Sequence, residues 1–161
     1  MIEYREIKFE DNQLLGEVME SVLIEYDAVE GGSMLGDPSC FSMYEQYTDK
    51  KSVYYIALLD GKLVGGCGVK IIPNQDDDTL CELQRMYLAK EARGKKIGKT
   101  LIEMCISKAT EFGFKKMYIE SFPQMKEAIS LYSKNGFYHI DYAIGSTGHD
   151  ACDVKMLKDL D

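Results

Sequence analysis

The sequence predicts a single α/β domain built on one mixed, mostly antiparallel sheet with helices on both faces. Three observations carry that expectation. Asp60-Gly61 separates two β-rich runs, Ser52 to Leu59 and Lys62 to Ile72, and Asp-Gly between apolar strands is a strong short-range hairpin signal. From Leu80 onward the hydrophobic period alternates in the order strand, turn, helix, strand, helix, strand. The 161 residues contain no repeat and no low-complexity linker, which fits one domain.

Taken in order, Ile2 to Lys8 alternates around Ile2, Tyr4 and Ile7 and reads as a first strand. Asp11 or Asn12 then caps a helix whose Leu14, Leu15, Val18, Met19, Val22 and Tyr26 recur at helical spacing, with Glu17, Glu20 and Glu25 on the other side. Gly31, Gly32, Gly36 and Pro38 break it, and Phe41 to Tyr47 reads as a short second helix. After the hairpin, Pro73 to Thr79 is a loop rich in aspartate and Leu80 to Leu88 a further strand. Leu101, Ile102, Cys105, Ile106, Ala109 and Phe112 mark the apolar stripe of the clearest helix, which starts at about Ile97 and stops at Gly113. Lys115 to Ser121 is a strand, Pro123 opens a helix that ends at Asn135-Gly136, and Phe137 to Ile144 and Asp153 to Leu157 are closing strands around Gly145 to Asp150.

Composition narrows the function classes. A net charge of −8 disfavours a nucleic-acid partner, because phosphate neutralisation needs a basic surface. No apolar run approaches the roughly 20 residues that span a bilayer, and the first residues lack the pattern of a signal peptide, so no membrane role and a cytoplasmic location are expected. The five cysteines, Cys40, Cys67, Cys81, Cys105 and Cys152, form no C-x-x-C pair, and His139 and His149 have no partner at ligand spacing. Neither a disulfide framework nor a metal site is expected.

Chemistry concentrates in Arg93-Gly94-Lys95-Lys96-Ile97-Gly98, between the Leu80–Leu88 strand and the next helix. The first N–H groups of a helix lack internal partners and sit at its positive end, and small residues let a phosphate approach them. Gly94 and Gly98 supply the small residues; Arg93, Lys95, Lys96 and Lys99 supply charge. Backbone donors together with four cations suit a pyrophosphate, although a solvated basic helix start has the same composition. The stretch from Gly94 to Thr100 is one residue short of G-x-x-x-x-G-K-[ST], and the apparent antiparallel hairpin before it argues against a nucleotide P-loop.

These residues resemble the coenzyme A loop, [QR]-x-x-G-x-[GA], of the GNAT superfamily of N-acetyltransferases. Lys96 stands where a middle glycine is usual. The run from Ala128 to Phe137 is similar to the family's A-x-x-L-Y-x-K-x-G-F signature, with Gln124-Met125 where an asparagine often precedes it. The resemblance is firm from about Thr79 to Phe137, so residues 79–137 are expected to form a coenzyme A core and about 10–50 the acceptor side of one domain, 1–161. It implies acetyl-CoA as co-substrate. Met86, Tyr87 and Leu88 would lie along the pantetheine arm, Arg93 through Lys99 around the pyrophosphate, and Gln124 and Tyr132 against the cofactor.

Acetyl transfer to an amine needs a neutral amine, a polarised carbonyl and a proton for the departing thiolate. An alkyl ammonium titrates near ~10.4, so its proton must be removed at neutral pH. Glu82 is the candidate base, since the resemblance places a glutamate in that strand in some members; a sheet glutamate in an ion pair is the competing reading. Tyr132 is the candidate acid for the thiolate, because a hydroxyl with a pKa of ~10 stays protonated at pH 7; a core tyrosine is its competitor. Glu25, Asp27 and Glu30 could favour a cationic amine, or simply be a solvated helix end. A small-molecule amine is the expected acceptor and a monomer or homodimer the expected assembly. A peptide acceptor and a non-catalytic acyl-CoA sensor are the alternatives.

Overall fold

The Asp60-Gly61 hairpin forms where the sequence places it. Both residues have positive φ, 51° and 83°, the pairing that a tight two-residue turn between twisted strands requires. The computed structural model describes residues 1–26, 38–72, 78–144 and 154–160. Outside them lie Gly31, Gly32, Gly36, Asp27, Glu30, the loop at 73–77, the 145–150 segment, His149, Cys152 and Asp153.

Seven strands make one sheet: β1 (Ile2–Glu6), β2 (Val53–Leu59), β3 (Lys62–Ile71), β4 (Leu80–Leu88), β5 (Lys116–Ser121), β6 (Tyr138–His139) and β7 (Val154–Asp159). Their order is β1-β2-β3-β4-β5-β7-β6, and every pair is antiparallel except β4–β5. The helices are α1 (Asn12–Glu25), α2 (Met43–Gln46), α3 (Ile97–Glu111) and α4 (Lys126–Lys134).

Side chains along a strand alternate between faces, and β2 shows two cores meeting across it. Val53 and Ala57 join Leu101, Ile102, Cys105 and Tyr132 on the α3–α4 face. Tyr54 and Ile56 join Leu15, Met19, Val22, Met43 and Tyr47 on the α1–α2 face. The predicted stripe of α3 is the buried one, and Gly113 and Gly136, both at φ 94°, terminate α3 and α4.

Four local expectations are corrected. Asp11 does not cap α1 with its side chain; its carboxylate accepts the Lys8 N–H at 2.7 Å and both Arg5 nitrogens at 2.8 and 3.0 Å, closing the turn before the helix. Asn12 ties two helices instead, accepting from the Tyr44 N–H and donating to Glu45, each at 2.8 Å. The second helix shrinks to Met43–Gln46 behind a 3₁₀ turn at Pro38–Phe41, where the Ser39 carbonyl accepts from the Ser42 N–H at 3.1 Å and from the Gln46 side-chain amide at 2.8 Å. The strand expected over Phe137–Ile144 pairs only at Tyr138 and His139, both exposed on an edge where burial does not reward further pairing. Pro123 opens a turn closed by Met125 N–H to the Phe122 carbonyl at 3.0 Å, and α4 starts three residues later.

Candidate active site

The site begins with an irregularity in β4. Gly66 pairs with Tyr87 and Gly68 with Gln84, so Arg85 and Met86 together stand opposite Cys67. This is a β-bulge, and Arg85 takes the left-handed conformation with φ 51°. The Tyr54 hydroxyl donates to the Arg85 carbonyl at 2.7 Å and holds the distortion. A bulge bends its strand, and β4 leaves β5 after only three pairs, Leu80 to Glu82 with Lys116 to Tyr118. From Leu83 to Leu88 the edge of β4 that faces β5 has no strand partner among the described residues.

The turn after β4 presents a row of donors. The first backbone bond of α3 is Thr100 N–H to the Lys96 carbonyl at 3.1 Å. None of the amides from Gly94 through Lys99 donates to a protein acceptor among the described residues. Those N–H groups sit at the positive end of a 15-residue helix. Lys96 occupies the left-handed region at φ 62°, ψ 19°, so it keeps the backbone path a glycine would take there, at the strain an L residue bears. Gly98 sits in close quarters: a Cβ there would come within 2.9 Å of the Leu88, Met86 and Leu131 side-chain tips, which would have to move aside.

Between the parted end of β4, this turn and α4 lies a cleft of about 340 Å³. Of the residues predicted to bind the cofactor, Met86, Leu88, Arg93, Gly94, Lys96, Ile97, Gly98 and Lys99 line it. Lys95 and Gln124 are exposed and do not, and Tyr87 points to the opposite face into the α1 core. Met125, Glu127, Ala128, Ser130, Leu131 and Lys134 along α4, and Val22 and Tyr26 at the end of α1, complete the walls. The α4 residues recur at helical spacing and could have been read as one face; the α1 pair carried no sequence signal.

Arg93 lines the cleft, but its guanidinium is committed elsewhere. It donates to both oxygens of Glu25 at 2.5 and 2.7 Å, to the Leu88 carbonyl at 3.0 Å, and lies over the Tyr26 ring at 5.4 Å. The Arg93 hydrogen bonds hold the Glu25 carboxyl below its usual range. Glu25 therefore does not offer a free negative charge to a cationic acceptor.

Tyr132, also predicted to touch the cofactor, does not line the cleft; it lies in the core on α4, 4% exposed and edge-on to Phe137 at 5.9 Å. Burial pushes the pKa of its hydroxyl well above the ordinary value, so the group stays protonated. Glu82, 2% exposed, lies on the other face of β4 beside Lys70 and Tyr118. Gln84 Nε2 donates to it at 2.7 Å, and the Tyr47 hydroxyl donates to Gln84 Oε1 at 2.7 Å. The two candidate groups thus stand on opposite faces of the strand that parts from β5.

A model of the acetyltransferase (GNAT) family matches residues 18–137. The chain belongs to that family. An uncharacterised N-acetyltransferase, YjgM, of Escherichia coli is 38% identical over 157 residues, 97% of this chain and 93% of that protein. A GNAT acetyltransferase from Staphylococcus aureus superposes with a TM-score of 0.86 over the whole of both chains at 21% identity, a likeness of fold. The PaiA N-acetyltransferase from Thermoplasma acidophilum, solved in complex with coenzyme A, superposes with a TM-score of 0.70 at 28% identity over 99% of each chain. This GNAT protein is accordingly an acetyl-CoA-dependent acyltransferase of the N-acetyltransferase type. Its free amides, small residues and cations at the head of α3 fit a pyrophosphate, and the unpaired β4 edge fits an amide-bearing arm. Among the described residues no helix is long and apolar enough to cross a bilayer, and no three His, Cys, Asp or Glu side chains gather as a metal site.

Proposed function

We propose that this GNAT enzyme moves an acetyl group from acetyl-CoA to the primary amine of a small molecule, by direct attack while both are bound. The observation that carries the reading is the pairing of the six unclaimed amides from Gly94 to Lys99 with a strand edge open from Leu83 to Leu88. Together they supply an anion cradle and an extended backbone partner at the two ends of one cleft.

The amine nitrogen forms a bond to the thioester carbonyl carbon and loses a proton, while the carbon–sulfur bond breaks and the sulfur gains one. A backbone N–H in the Met86–Leu88 stretch polarises the carbonyl. Tyr132, kept protonated by its burial, gives the proton to the departing sulfur. Glu82, the carboxylate buried on the α1–α2 side of β4, takes the proton of the amine. Arg93 acts on the cofactor turn through Glu25 and Leu88, while Lys96, Lys99 and Lys134 supply the charge that faces the cleft.

A small acceptor is favoured over a peptide because α2 and the Pro38–Phe41 turn pack against the face of β4 that carries Glu82 and Gln84, leaving Tyr47 only 8% exposed. Incubation with acetyl-CoA and a panel of amines, amino acids, polyamines and peptide N-termini, followed by free thiol, tests the assignment. Thiol release with a small amine is the expected result. Release only with peptides moves the acceptor class, and tight acetyl-CoA binding with no release for any acceptor makes the protein a sensor.

A further inference from the structure

The chain has three arginines, and two of them hold carboxylates with both prongs. Arg5 grips Asp11 at 2.8 and 3.0 Å, and Arg93 grips Glu25 at 2.5 and 2.7 Å. Arg85 does not. Its guanidinium donates to the Ser39 hydroxyl at 3.2 Å and to the Met43 sulfur at 2.9 Å, and no described carboxylate lies within ion-pair distance. A thioether is a weak acceptor, and a guanidinium carries five N–H donors in a fixed fork. In a chain with 27 acidic residues, a half-buried arginine left without one is the exception.

Its location gives the exception a use. Arg85 is the left-handed residue of the β4 bulge, held there by the Tyr54 hydroxyl. The bulge turns Gln84 and Arg85 to the same side, toward Tyr47 and Met43, whereas the next residue, Met86, faces the cofactor cleft. The guanidinium therefore stands on the acceptor side of the strand, one residue from the cleft wall. Lys70, also on this side, is already engaged, donating to the Gln46 carbonyl at 2.6 Å with Asp49 4.0 Å away.

We propose that Arg85 reads a carboxylate on the acceptor, so that the acetylated amine belongs to an amino acid or a closely related amino carboxylate. This rests on the acetyl-transfer reading above. A planar carboxylate matches the guanidinium fork with two parallel hydrogen bonds, and displaces a sulfur contact that is weak. Glu82, three residues earlier on the same side, is then close to the amine that the carboxylate positions.

The test compares L-amino acids with their primary carboxamides and their decarboxylated amines, in the wild type, Arg85→Gln and Arg85→Lys, with thermal melting as the folding control. The wild type is expected to favour the acids over the amides at least tenfold in kcat/KM, mostly through KM. Arg85→Gln should bring that ratio near one and Arg85→Lys leave it intermediate, with acetyl-CoA Kd moved less than twofold in both. A ratio near one in the wild type, or equal losses for acids and amides in Arg85→Gln, overturns the proposal and assigns Arg85 a strut between Ser39 and Met43. Absence of acetyl transfer to every acceptor strikes the acetyl-transfer reading alone. Calorimetric titration of the coenzyme A-loaded protein with the same amino acids then decides the carboxylate site, and heat that does not depend on Arg85 overturns it.

Discussion

Arg93 and Glu25, 68 positions apart, share two hydrogen bonds that fasten the last turn of α1 to the turn preceding α3. Both side chains keep 21% and 29% of their exposure, so solvent screens the pair and its worth stays near the upper end of the surface range. A double-mutant cycle of Arg93→Gln and Glu25→Gln by thermal denaturation at pH 7 should show a coupling of about 0.5–1 kcal/mol. Glu25 is held below its ordinary 4.5, so the contribution is fully present above that value and fades as pH falls through the lowered one. A coupling that persists at a pH where Glu25 is protonated would show that packing against Tyr26, not charge, makes the contact.

Lys96 combines strain with charge, and two substitutions separate them. Lys96→Gly removes the left-handed penalty of about 1–2 kcal/mol but adds about 0.5–1 kcal/mol of unfolded-state entropy, so melting should rise slightly, by roughly 2–4 °C for about 1 kcal/mol. Lys96→Glu keeps the strain and reverses the charge in the cleft, and should weaken acetyl-CoA binding about tenfold or more, about 1.4 kcal/mol. An unchanged Kd for Lys96→Glu would leave the holding to the backbone amides alone.

Tyr132→Phe deletes one oxygen while keeping the edge-on contact with Phe137, so the fold should be untouched. Turnover should fall roughly 10- to 100-fold, the size of a general-acid effect. Because burial raises the hydroxyl's pKa above its ordinary 10, the wild type should show no loss of kcat from this group below that pH. Turnover equal to the wild type would remove Tyr132 from proton donation.

Local chemistry was legible in the sequence and partnership was not. Asp60-Gly61, the α3 stripe, Gly113 and Gly136 each act through their own backbone or helical face, so composition suffices to read them. The glycine-bearing turn and the Ala128–Phe137 run likewise name the cleft, and most of the residues singled out there do line it. Arg93 read as a phosphate ligand because its partner, Glu25, is brought to it only by tertiary packing. Arg85 read as a strand residue because a bulge is a property of two strands in register, and the extra residue is visible only against Gly66 and Gly68 of β3. Asn12 likewise offered a cap by type and became a cross-helix tie once α2 packed beside it.

The three residue pairs from Leu80 to Glu82 are all that join β4 to β5, so the sheet is a four-stranded and a three-stranded piece sharing a short seam. On the proposed binding mode, acetyl-CoA lies along the parted stretch as a surrogate strand, touching β4 and the head of α3 on one side and α4 on the other. Substrate occupancy is then also mechanical reinforcement. The saturated enzyme gains RT ln(1 + [L]/Kd) of resistance to unfolding, concentrated at the seam, and product release is the moment at which the two pieces are least tied to each other.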